Sequence, residues 1–143
     1  MSQQDNKTPT FFKFEDLRVY NKAVDFVVFL MKLFESDKDT YYNRLIENAT
    51  LIAINIVDGS VKNKTQFVEK LQEAKGNIRK VVVYTTVGQR KGLISDEYYE
   101  NIRFKLIELT KMTGALITSL QKHNDTYHVE LQHDDGFDEN LTW

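Results

Sequence analysis

Residues 55–76 read NIVDGSVKNKTQFVEKLQEAKG, and the way this stretch divides decides the fold. Its first residues close an apolar run in which Leu45, Ala49, Ile52 and Ile56 recur three or four apart, the period of a helix face. Gly59 follows at once and is placed to take the left-handed backbone conformation that closes a helix end, with Asp58 anchoring the turn. Asn63 and Gln66 make an N-capping pair, so Val61 and Lys62 form the turn and a new helix begins. The stretch therefore turns one helix into the next rather than cradling a ligand. Asn55 is expected to bond to neighbouring backbone. Gly76, inside the helix that follows, costs about 1 kcal/mol relative to alanine, which points to a close helix approach there.

Working outward, the same period gives two further helices. Over 14–36, Tyr20, Val24, Val27, Met31 and Phe34 make one apolar face, and Val19, Phe26, Leu33 and Phe29 make a second, roughly 100° around. A helix apolar on two sides needs two neighbours. The second helix, about 40–58, carries Ile46, Leu51, Ile54 and Val57 on its flanks. The third is expected to turn Phe67, Leu71, Ala74, Ile78, Val81 and Thr85 inward and to stop near Val87, in a turn flanked by Gly88 and Gly92. Ser95, followed by Asp96 and Glu97, starts a fourth helix whose core face is Ile102, Leu106, Leu109, Thr113, Leu116 and Leu120. Short connections between long helices imply an all-α, antiparallel up-down-up-down four-helix bundle over 14–122. A flexible segment (1–13) and an acidic, His-containing tail (123–143) are expected to flank it.

Composition agrees. At 143 residues, 41% apolar and 28% charged, the chain has the makings of one ordinary domain, and a single proline, Pro9, leaves the helices unobstructed. The absence of cysteine removes disulfides and thiolate metal sites. With no signal-like start and no apolar run long enough to span a bilayer, the chain reads as cytoplasmic, without membrane contact, and its Asn-x-Thr triplets are not glycosylation sites.

The net charge of −2 conceals an asymmetry. Residues 123–143 hold six acids and no Lys or Arg, whereas 62–91 hold eight basic residues against two acidic ones. All three histidines (His123, His128, His133) fall in the tail, so no inward Glu-x-x-His pair is available for a bundle-core metal site, and no metal or cofactor is expected. Glu69 and Glu73 sit among lysines as a solvated charged face. GQRKG lacks the spacing of a phosphate loop. With no cysteine, no histidine before residue 123 and no Gly-x-Ser-x-Gly, nucleophilic catalysis has no candidate, and the chain does not read as an enzyme. The basic hairpin carries the remaining functional signal, read either as a solvated lysine-rich face or as a phosphate-backbone contact region. Its candidates are Lys62, Lys64, Lys75, Arg79, Arg90 and Lys91. Nothing in the sequence supports base-specific readout.

Three motifs in order carry a resemblance: Phe14-Glu15-Asp16-Leu17-Arg18-Val19-Tyr20 with Lys22-Ala23, then Asn55-Ile56-Val57-Asp58-Gly59, then Ala74-Lys75-Gly76-Asn77-Ile78. Over about 12–121 the chain resembles bacterial four-helix bundle proteins related to those encoded in intervening sequences of 23S (large-subunit) ribosomal RNA genes. It is similar also to accessory variability proteins of diversity-generating retroelements. The resemblance implies a bundle that assembles into a homopentamer and binds nucleic acid or a ribonucleoprotein partner. The second-helix arginine pair typical of that family is absent. Where the family has an arginine in helix two and a glutamate in helix three, this chain has Glu47 and Lys80, which preserves attraction with reversed polarity if the two positions pair.

The functional expectation is thus a non-enzymatic, oligomeric bundle that binds RNA or DNA through its basic hairpin; the alternative is a protein-binding scaffold or adaptor ring. Self-association is expected through Val19, Phe26, Phe29 and Leu33 of the first helix and Ile46 and Ile54 of the second, with Glu47 and Lys80. The acidic tail is expected to compete for the lysines near Lys62 and Lys64. Asn55, Asp58, Gly59 and Gly76 are expected to be structural.

Overall fold

The computed structural model describes residues 11–122. The expected readings of the acidic tail and its three histidines lie outside these residues, as does most of the segment 1–13. A 3-10 turn (Lys13–Asp16) leads into α1 (Arg18–Leu33), α2 (Thr40–Ser60), α3 (Lys64–Lys91) and α4 (Asp96–Lys122). The described residues contain four α-helices and no strand. Each helix packs on its sequence neighbour and α1 closes against α4, with α2 against α3 the most extensive contact. This is the all-α four-helix bundle that the periodicity predicts.

Local signals set most of the boundaries. Asp39 Oδ1 accepts the Tyr41 N–H at 2.8 Å, Asn63 Oδ1 accepts the Gln66 N–H at 2.9 Å, and Ser95 Oγ accepts the Tyr98 N–H at 3.1 Å, so three helices begin on side-chain caps. The start of α1 differs: the chain is extended at Leu17, and Asn21 Nδ2 secures the entry by donating to the Glu15 and Leu17 carbonyls. The first helix therefore begins at Arg18 rather than Phe14. The third helix runs on through Gly88 to Lys91, past the expected stop near Val87. Gly92, at φ +85°, is the left-handed residue, and the bonds from Gly92 N–H to Gln89 O and from Leu93 N–H to Gly88 O complete a Schellman end.

The core is built from the inward faces expected for α2 and α3, and from Ile102, Leu106, Leu109 and Thr113 of α4; Ile117 is buried, while Leu116 and Leu120 are half-buried. On α1 the buried face draws on both stripes. Val19, Ala23, Phe26, Leu30 and Phe34 are buried, Tyr20, Val24 and Val27 pack half-buried, and Met31 is exposed. Directing the 20/24/27/31 stripe inward would turn Phe26, Phe29 and Leu33 towards water, at ~1.5–3 kcal/mol for each large side chain left unburied. Ala23, fully buried, also fills the seam between Val19 and Phe26 without forcing the helices apart.

This corrects the expected assembly surface. Val19 and Phe26 (2% exposed) belong to the protomer core, and Phe29, Leu33 and Ile46 are half-buried against it. They are covered because the second neighbour that a two-sided helix requires is supplied by the same chain. Ile54, Glu47 and Lys80 remain exposed.

The structural residues of the hairpin are also reassigned. Gly59 is helical and buried, not a left-handed cap: a Cβ there would lie 2.7 Å from Lys70 Cβ and 2.8 Å from Phe67 Cδ1. Gly59 is thus the point where α2 and α3 approach closely. Gly76 is open instead, with only Arg79 Nη2, at 3.9 Å, near an added Cβ. Asn55 bonds across the hairpin, Nδ2 to Asn77 Oδ1 at 2.6 Å, rather than to adjacent backbone. Asp58 is exposed, and the turn closes through Lys62 N–H to Gly59 O and Ser60 Oγ to Val57 O.

Candidate anion-binding groove between α2 and α3

Helix α3, with 28 residues, is ~42 Å long, and that length disperses the basic residues of the hairpin. Lys62 lies in the turn before it and Lys64 at its first position, both exposed. Arg90 and Lys91 are exposed in its last turn, at the opposite end of the bundle, where they complement the helix dipole. Lys75 drops out of the surface altogether: it is 3% exposed, and its Nζ lies 3.6 Å from where a Cβ on Gly114 would stand, so the small residue on α4 makes room for the lysine. Its position follows from the helical period, which turns residues 75, 78 and 82 toward α4. The six candidates therefore form no continuous patch.

Arg79 falls in the middle of α3, where the bundle surface is concave. A groove of about 910 Å³ runs between the start of α2 and the outer side of α3. The α2 wall carries Tyr41, Arg44 and Asn48, spaced so that one helix face presents all three; the α3 wall carries Arg79, Lys80, Val83 and Val87. Gly76 lines its floor, which explains the openness of that position. Arg44, Arg79 and Lys80 thus share one concavity with a single carboxylate, Asp39, whose Oδ1 already caps α2. Val83 and Val87 are 61% and 51% exposed, so the cations are set beside an uncovered apolar wall. The groove can accept an anionic chain on its cations and an apolar group on its valines.

Arg44 is the residue that sequence reasoning missed as a site. The signal is its spacing from Tyr41 and Asn48 on one face of α2, but only the antiparallel pairing with α3 brings that face against Arg79 and Lys80. Glu47 does not line the groove, and among the described residues it forms no ion pair with Lys80. Ion pairs elsewhere in the bundle include Lys22 with Glu108 at 3.3 Å and Lys70 with Glu73 at 3.4 Å. The second of these makes Glu73 part of a solvated charged face, as expected.

The back of the groove is tied by tyrosine hydrogen bonds. Tyr41 Oη donates to the Tyr84 carbonyl, and its ring lies over Gly88, where a Cβ would collide with the phenol. Burial, and to a smaller extent Tyr42, push the Tyr41 phenol up to about 12, partly countered by a backbone hydrogen bond at Gly88. Tyr42 Oη donates to Leu93 O at 2.6 Å; burial, with Asp37 and Asp39 nearby, raises its pKa as well. Two tyrosines thus tie the start of α2 to the end of α3. Among the described residues no group of three or more His, Cys, Asp or Glu is placed to hold a metal ion, and no helix is long and apolar enough to cross a membrane.

No family model and no curated protein matches the chain. Among solved structures, it is similar to a protein of unknown function from the S23 ribosomal protein family of Bacteroides thetaiotaomicron, with a TM-score of 0.64 and 21% sequence identity over 69% of this chain and 97% of that one. At that identity the likeness establishes the fold alone: this chain is built as a four-helix bundle of the same shape.

Proposed function

We propose that this chain is a non-enzymatic, self-associating bundle protein of the cytoplasm that binds the phosphate backbone of RNA or DNA, alone or within a ribonucleoprotein, with the α2–α3 groove as its contact surface. The observation that carries the reading is that Arg44 and Lys80 line one open groove together with Arg79. Clustered cations displace counterions from a polyanion, and the absence of a base-reading motif makes the binding independent of sequence. The ordered motifs in α1, α2 and α3, together with the fold shared with a protein of the S23 ribosomal protein family, support kinship with the bundle proteins of 23S intervening sequences and, through that kinship, a homopentamer. A ring would multiply weak contacts by presenting several grooves to one strand. Lys62 and Lys64 at one end of α3 and Arg90 and Lys91 at the other lie outside the groove, and Lys75 no longer takes part.

A second reading, a scaffold that binds protein, is favoured by uncovered apolar side chains, namely Val83 and Val87 in the groove and Phe104, 70% exposed, on the outer side of α4. A mobility-shift series with RNA and DNA at increasing salt separates the two. Three groove cations per subunit predict log K falling with log salt at a slope of about −2 to −3 for each groove engaged. The double variant Arg44→Glu, Lys80→Glu should abolish the shift while leaving the helical content intact. No binding to either nucleic acid at ~50 mM salt, where the electrostatic attraction is strong, by the full chain and by the chain lacking residues 123–143 overturns the nucleic-acid reading in favour of the scaffold.

A further inference from the structure

The groove that carries the proposed function also fits a segment of this same chain. Residues 123–143 read HNDTYHVELQHDDGFDENLTW, with six acids, no Lys or Arg, and an aromatic residue, Phe137, enclosed by Asp134, Asp135, Asp138 and Glu139. The groove presents the complement, three cations beside two uncovered valines. We propose that residues 123–143 dock in cis into the α2–α3 groove, with the Asp134–Glu139 stretch on Arg44, Arg79 and Lys80 and the Phe137 ring against Val83 and Val87.

Reach permits it. Lys75 packs beside Gly114, so α4, running antiparallel to α3, ends at Lys122 abreast of the region around Phe67. From there to the middle of the groove, near Lys80 and Val83, is ~20–24 Å along α3, and crossing to its outer side adds ~10 Å. An extended chain advances ~3.3 Å per residue, so about ten residues cover that path and the acidic stretch arrives at the cations. The span of the groove from Gly76 to Val87 is ~17 Å, room for about five extended residues, the length of the stretch around Phe137. Lys62 and Lys64, beside the end of α4, lie too close for the Asp134–Glu139 stretch to reach without doubling back, and neither offers an apolar wall. The segment is thereby an internal competitor for any polyanion that enters the groove.

The inference rests on the groove being an anion site, but its test does not require nucleic acid. Trp143 is the chain's one tryptophan and reports on the segment directly. In the full chain its emission should be shifted to the blue, and its quenching by acrylamide several-fold weaker, relative to a synthetic peptide of residues 123–143. Both effects should be independent of protein concentration. The variant Arg44→Glu, Lys80→Glu should return Trp143 to the behaviour of the peptide. So should Asp134→Asn, Asp135→Asn, Asp138→Asn, Glu139→Gln, which leaves every bundle residue intact and answers any loss of folding in the groove variant. Trp143 as accessible in the full chain as in the peptide overturns the proposal. Protection that survives both variants overturns it by placing the segment elsewhere, and protection that grows with concentration overturns it by assigning the occupant to a second copy. If Trp143 is docked yet no RNA or DNA binds at low salt after the acid-neutralising substitutions, the proposed function fails and the docking stands.

Discussion

Tyr41 joins stability to pH at a single side chain. Its phenol is held neutral by burial and, to a smaller extent, by Tyr42, with the pKa raised from 10.0 to about 12. A group whose folded pKa lies above the unfolded one contributes stability that is complete below the unfolded value and is lost as pH rises through the folded value. Melting temperature should therefore fall between about pH 10 and 12, and Tyr41→Phe should flatten that part of the profile while costing ~0.5–1.5 kcal/mol at neutral pH for the lost hydrogen bond. Thermal melts of both proteins across the alkaline range check the sign. The two glycines of the hairpin make a matched pair at the same scale. Gly59→Ala drives a methyl group against Phe67 and Lys70 Cβ and should destabilise by ~1–3 kcal/mol. Gly76→Ala meets open space inside a helix and should stabilise by ~0.5–1 kcal/mol. Urea denaturation of the two variants side by side tests this assignment, and the opposite order would restore the roles expected from the sequence.

Among the elements, α1 is where packing decided between two apolar faces. Phe26 stacks against Phe29, whose ring in turn lies 4.7 Å from the Lys105 ammonium of α4, while Lys22 pairs with Glu108. The 22/26/29 side of α1 therefore faces α4, while Phe34 at its end packs on both Tyr42 of α2 and Tyr98 of α4. Phe26→Ala should cost ~3–5 kcal/mol of protomer stability, read as a lower denaturation midpoint with little change in the slope. Phe26→Glu should unfold the protomer rather than dissociate an assembly, because a carboxylate would be confined in the core without a partner. Helix α3 shows the opposite behaviour: its core face is as the period predicts, but its polar residues are divided by length and by the neighbour on each side. Lys75 faces α4 and is buried; Arg79 and Lys80, one turn later, face the groove.

For the whole molecule, the proposed self-association would have to use what the bundle leaves outside. Of the residues expected at that surface, Ile54 with Glu47 and Lys80 is still exposed, and Leu51 adjoins Ile54 on α2. Covering several such side chains at ~1.5–3 kcal/mol each is sufficient to hold an oligomer together. Light scattering at micromolar concentration should return a multiple of 16.8 kDa, and Ile54→Asp should lower it without changing the circular dichroism. A wild-type mass equal to the monomer would count against the proposed ring.

What the sequence determined by itself was whatever depends on neighbours along the chain: four helices from a period of three and four, the starts at Asn63 and Ser95 from capping side chains, the core faces of α2 and α3 from unambiguous apolar stripes. Periodicity also kept Glu69 and Glu73 on a solvated face. The tertiary structure alone decided what depends on neighbours in space. Two apolar stripes on α1 are equivalent until a second helix supplies the area that buries one of them. Gly59, Gly76, Gly88 and Gly92 look alike in sequence, and only the approach of Phe67 or Tyr41, or a positive φ, separates contact from cap. The groove, above all, joins Arg44 to Arg79 and Lys80 across 35 residues of chain, and no local pattern encodes that meeting, because charge carries no period that a bundle must bury.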